Sequence, residues 1–134
     1  MRSSGTVRVS CLVDTNIVID FLRRRTYAQG LLRRWADEGS LAVSALTHFE
    51  VYRGIREGEE DVTGALLDGL LTIDVNVPIA RLAGRMLGRL RSNGVTVGVV
   101  DAVIAATAVG ANVPLLTNNV SHYPFAELRV VRGV

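Results

Sequence analysis

The sequence predicts a three-layer α/β/α sandwich on a mainly parallel central sheet, and three observations predict it. Short apolar runs ending on polar residues recur at 7–13, 41–43, 71–75, 113–117 and 128–131. Between them, apolar residues return at helical spacing, so strand and helix alternate along the chain. That alternation is the pattern of parallel strands joined by right-handed crossovers. The 134 residues, 49% of them hydrophobic, suffice for one domain with its own core, taken as 1–134 with residues 1–6 as a disordered arm.

The first apolar run stops at Asp14, and helical spacing resumes at once. A buried strand therefore delivers Asp14 to the C-terminal edge of the sheet, where open parallel sheets bind ligands. Thr15 or Asn16 is placed to cap the helix over 15–22. That helix ends in Arg23, Arg24 and Arg25, which either complement its dipole or contact phosphates. Residues 27–36 form a second helix with Leu31, Leu32 and Trp35 inward and Arg33 and Arg34 outward, closed by Gly39.

After the strand at 41–43, Ser44 caps a helix over 45–56 whose buried face is marked by Leu46, Phe49 and Tyr52. Glu50 borders that face, placed either to reach inward as a ligand or base or to pair with Arg53 or Arg56. Residues 57–61 carry four acids in a solvated connection, and 62–71 read as a helix weakened by Gly64 and Gly69. Pro78 opens a helix that runs to about Arg91, with Arg81, Arg85 and Arg89 as one basic stripe. Gly84 and Gly88 at the same spacing allow close approach to its backbone. Residues 101–109 form a helix apolar on every side and hence buried, whose one acid, Asp101, either caps it or binds a ligand. Asn118 and Asn119 end the strand at 113–117, Tyr123-Pro124-Phe125 is a short turn, and 128–131 is the last strand.

Composition removes several classes. The single Cys11 excludes an internal disulfide and a cysteine zinc site, and it suits a reducing, cytoplasmic compartment. The sequence has neither an 18-residue apolar span nor a signal-peptide core near its start, so a soluble protein without membrane attachment is expected. All fifteen basic residues are arginine, and the net charge of +2 points mildly to an anionic partner. Without lysine, a P-loop and a receiver-type phosphoacceptor are both disfavoured. His48 and His122 read as structural, Asp20 as a helix-surface acid and Asp74 as a strand-end acid.

Asp14, Glu50, Asp101 and Asn119 all stand at element ends that a doubly wound sheet brings to one edge. Carboxylates gathered there cannot all ionise cheaply, so raised pKa values or a bound cation are implied. Hard oxygen donors select Mg2+ or Mn2+, which suits activation of water against a phosphodiester.

Four stretches in register resemble the PIN-domain ribonucleases, and among them the VapC-type toxins of toxin–antitoxin pairs. They are 12–16 (Leu-Val-Asp-Thr-Asn), 44–50 from Ser44 to Glu50, 101–108 from Asp101 to Ala108, and 115–119 with His122 and Tyr123 following. The resemblance implies that Asp14 and Asp101 hold Mg2+ (or Mn2+), that Glu50 assists through the metal or its water, and that Thr117 and Asn119, with Asn16 in support, complete the site. Many PIN nucleases carry an acid where Asn119 stands, so a second metal there is not implied. It further implies an RNA substrate, a homodimer, and a cognate antitoxin that places a cation in the acidic cleft with Ile17, Phe21 and Trp35 as hydrophobic anchors. A non-toxin RNA-processing nuclease and a catalytically idle PIN-like binding module are the alternatives.

Overall fold

A computed structural model describes residues 7–133, so the expected arm at 1–6 lies outside the described residues. The elements run β1 (Val9–Val13), α1 (Thr15–Leu22), α2 (Thr26–Ala36), β2 (Ser40–Ser44), α3 (Ala45–Arg53), α4 (Glu60–Asp68), β3 (Leu71–Ile73), α5 (Val77–Ser92), α6 (Val99–Ala111), β4 (Leu115–Thr117) and β5 (Val130–Arg132), with a 3-10 turn at Val120–His122. Every strand pair is parallel, in the order β3-β2-β1-β4-β5. The chain leaves β1 toward β2 on one side and later returns to β4 on the other, so the β1/β4 boundary is the topological switch point.

The period-two alternation of strands divides the core between the two faces of the sheet. Leu12, Ala42 and Leu115 pack on one side against α5 and α6, through Ile79, Ala83, Met86, Ile104 and Ala105. Cys11, Val13, Val43 and Leu116 pack on the other, against Ile17, Val18, Leu31, Leu32, Val51 and Leu67 from α1 to α4. At the start of β2, Gly39 has φ +157, and a Cβ there would stand 2.7 Å from the Arg8 carbonyl oxygen. Only glycine allows that approach, which lets the Ser40 N–H donate to the same carbonyl at 2.7 Å.

Several expectations change in detail. β1 begins at Val9, and Val7 is exposed. The cap of α1 is Asp14 itself rather than Thr15 or Asn16. In α3, Thr47 and Val51 turn inward, while Phe49 (57% exposed) and Tyr52 face solvent. The reason is polar: Ser44 caps α3 and bonds Thr107 of α6 at 3.0 Å, and Thr47 meets Thr15 of α1 at 3.0 Å, so two hydroxyl contacts set the rotation of the helix. The helix α6 begins at Val99, which is 65% exposed, with Gly98 as its cap. Asp101 is thus in the first turn but does not cap it. Ile17 is fully buried in the core and is not available as an anchor for a partner; Phe21 and Trp35 are partly buried.

Candidate active site

The site is assembled at the switch point, where β1 and β4 end side by side. The Asp14 N–H donates to the Leu116 carbonyl at 2.9 Å, which fixes Asp14 beside Thr117. Its carboxylate is buried, 3% exposed, and both of its oxygens accept hydrogen bonds. Oδ1 accepts from the Thr15 N–H at 2.8 Å and from the Tyr123 hydroxyl at 2.9 Å, and Oδ2 accepts from the Thr117 hydroxyl at 2.6 Å. Three donors on a buried carboxylate offset the cost of taking it out of water.

The other two acids reach the same place by different routes. Asp101, from the first turn of α6, has Oδ1 3.4 Å from the Tyr123 hydroxyl. A phenol has one proton, and the shorter distance assigns it to Asp14, so Asp101 is left the poorer-bonded acid. Burial first, then the charge of Asp14, push the Asp101 carboxyl above its ordinary range; Glu50 adds to this, while His122 and the Tyr123 bond pull against it. Burial and the same carboxylates push the Tyr123 phenol far up, so it remains a donor. Glu50, from α3, accepts from the Thr15 hydroxyl at 2.7 Å, with Arg53 Nη2 at 4.0 Å from its other oxygen. Asp14, Asp101 and Glu50 are therefore linked through Thr15 and Tyr123.

The remaining sequence candidates divide. Thr117 is part of the centre, and its hydroxyl also accepts from the Asn119 N–H at 2.9 Å. Among the described residues, the Asn119 side chain makes no hydrogen bond to the three acids, and Asn16 is exposed. His122, read as structural, has Nδ1 3.7 Å from Asp101 Oδ2. The arginine triplet is largely occupied: Arg23 pairs with Glu59 at 2.8 Å and Arg25 with Asp20 at 3.3 Å. Asp20, read as a surface acid, instead accepts from the Tyr27 hydroxyl, to which Asn118 Nδ2 donates at 2.6 Å. Thr15 and Tyr123 are the residues that sequence reasoning placed elsewhere, one as a helix cap and one as a turn. A tyrosine before proline in an otherwise polar segment was the available signal.

Three carboxylates in hard-oxygen surroundings fit a hard divalent cation, and the raised Asp101 marks the charge such an ion would compensate. Among the described residues no three His, Cys, Asp or Glu side chains are arranged to hold an ion by themselves. The fit is therefore to an ion that retains water and takes one or two direct carboxylates, which is the habit of Mg2+. A cavity of about 530 Å³ lies at the N-terminal edge of the sheet between Arg8, Ser40 and Leu71, away from these acids.

The sequence pattern described as the PIN domain matches residues 11–128. The chain is 39% identical over 120 residues to a Mycobacterium tuberculosis protein named ribonuclease VapC19, covering 88% of this chain and 96% of that one. It is 34% identical over 116 residues to ribonuclease VapC10 of the same species, covering 87% of each. Among solved structures, a toxin–antitoxin complex from Klebsiella pneumoniae is similar with a TM-score of 0.79 at 28% identity, covering 93% of this chain and 98% of that one. A DNA-bound VapBC from Salmonella typhimurium gives 0.85 at 19% identity, covering 95% and 100%, which speaks for the fold alone.

Proposed function

The chain belongs to the PIN-domain family, and from that premise we propose that it is a metal-dependent endoribonuclease, the toxin of a toxin–antitoxin pair. The observation that carries the reading is the linkage of Asp14, Asp101 and Glu50 through Thr15 and Tyr123 at the switch point. Mg2+ or Mn2+ held by Asp14 and Asp101, with Glu50 in reach, would polarise a phosphoryl oxygen and make water a better nucleophile at neutral pH.

The chain's own residues do the positioning. Thr117 and Tyr123 hold both oxygens of Asp14, so the carboxylate does not reorient when substrate charge arrives. Thr15 holds one oxygen of Glu50, and the other, 4.0 Å from Arg53 Nη2, is the one that can accept a proton from an attacking water. Asn119, whose backbone N–H donates to Thr117, is assigned as a neutral donor to phosphate. The domain is taken as 1–134, acting in the cytoplasm, where its RNA is. Its partners are RNA, a second copy of itself, and an antitoxin that neutralises the carboxylates with a cation.

The test is incubation of purified protein with total RNA and Mg2+, beside an Asp14→Asn variant and a chelated control. Cleavage confined to the unmodified, metal-supplied protein is expected; cleavage equal in all three would be a contaminant. Asn119, where an acid would strengthen the site, favours one other reading, a catalytically idle module that binds RNA. Binding without cleavage in either metal would select it. Co-expression with the neighbouring small reading frame separates a toxin, whose growth arrest is relieved, from a housekeeping nuclease, whose expression is harmless.

A further inference from the structure

We propose that the outer face of α5 is a track for the phosphate backbone of single-stranded RNA, leading along Arg81, Arg85 and Arg89 to the carboxylate site. The inference rests on the ribonuclease reading and names how its substrate is held. Helix α5 carries four arginines and no acid in 16 residues. Ile79, Ala83 and Met86 bury the opposite face against α6, so the arginine stripe is turned to solvent. Four residues of helix rise about 6 Å, a step comparable to that between successive phosphates of an extended strand. Each guanidinium can take a phosphate bidentately.

Arg81, Arg85 and Arg91 make no ion pair among the described residues, whereas Arg89 is held by Glu127. The triplet Arg23 to Arg25 differs in this respect, since two of its three members already have carboxylate partners. Gly84 and Gly88 lie beside the stripe, and the space that a Cβ would occupy at either is open. A sugar–phosphate chain can therefore approach the helix backbone between the arginines. A protein seam would need apolar anchors, and apart from Val77 at its start this face exposes no large hydrophobic side chain.

The track also has a direction. A Cβ on Gly110, at the end of α6, would lie 3.3 Å from Ile79 at the start of α5, so the two helices run antiparallel. The six residues that join Ser92 to Val99 keep the Arg89 end of α5 with the Asp101 end of α6.

The experiment measures binding of a short, labelled, mixed-sequence single-stranded RNA in chelator across a salt series, with the full chain. Arg81→Gln combined with Arg85→Gln is expected to weaken binding and to flatten the plot of log K against log salt by about 0.7 per lost contact. Glu127→Gln, which releases Arg89, is expected to strengthen binding. With Mg2+ the double variant should show raised KM and unchanged kcat. An unaltered slope in a protein that cleaves overturns the track and leaves the nuclease reading in place; a flattened slope in a parent protein that never cleaves keeps the track and removes that reading. A change of oligomeric state in the double variant, with the slope unaltered, would assign the face to a protein partner and overturn the proposal.

Discussion

At the scale of single residues, the site depends on hydroxyl groups that carry one proton each. Tyr123 gives its proton to Asp14, Thr117 gives its own to the other oxygen of the same carboxylate, and Thr15 gives its own to Glu50. Asp14 and Glu50 are thus each oriented by hydroxyls that do not titrate near neutral pH, and Asp101 is not. Tyr123→Phe removes one donor from a buried charge and should lower stability by about 1.5–3 kcal/mol, the worth of a hydrogen bond to a charged group. A residue that acts only through Asp14 lowers kcat and leaves KM near its original value, which is the outcome expected here. Steady-state cleavage and thermal melting of the variant check both statements, and a KM effect alone would move Tyr123 into substrate binding.

At the scale of elements, the clearest strain lies where α1 ends. Arg25 N–H donates back to the Asp20 carbonyl and Arg24 N–H to the Phe21 carbonyl, a closing turn that puts Arg24 at φ 62. A side chain pays about 1 kcal/mol or more for that left-handed conformation, and glycine does not. Arg24→Gly should therefore raise the unfolding free energy by roughly 1 kcal/mol, less the entropy glycine adds to the unfolded chain. Denaturant melts decide it: a destabilised Arg24→Gly protein would mean that the guanidinium makes a contact worth more than the strain. The triplet was legible as a helix end from its charge, but the left-handed turn was not, because arginine carries no signal for it.

At the scale of the whole molecule, the proposed cation site would couple folding to metal binding. An ion that binds only the folded protein stabilises it by RT ln(1 + [L]/Kd), about 2.7 kcal/mol at a hundredfold excess over Kd. Mg2+ should raise the melting temperature of the unmodified protein and leave Asp101→Asn unmoved. Without metal the order should reverse. The Asp101 carboxyl is raised in the folded state, so its contribution is present below the unfolded pKa and is lost as pH rises through the folded one. Metal-free Asp101→Asn should accordingly match or exceed the parent protein at neutral pH, and the gap should close in acid. A parent protein more stable than the variant in chelator at neutral pH would remove crowding as the cause.

The alternation of apolar strands with amphipathic helices, five strands in number, and the delivery of Asp14 to a strand end were determined by the sequence alone, because side-chain period and the place where an apolar run stops are local properties. The same holds for Asp101 in the first turn of α6 and Thr117 at the end of β4. Tertiary structure alone decided the rest. Phe49 and Tyr52 face out because contacts from Thr15 and Thr107 set the rotation of α3, and those partners are distant in the chain. Tyr123 stands between Asp14 and Asp101 because the chain after β4 turns back over the switch point, and the Tyr123-Pro124 pair marks the turn without its destination. A residue's element follows from its neighbours in sequence, but its hydrogen-bond partners follow from which strands the crossovers place side by side.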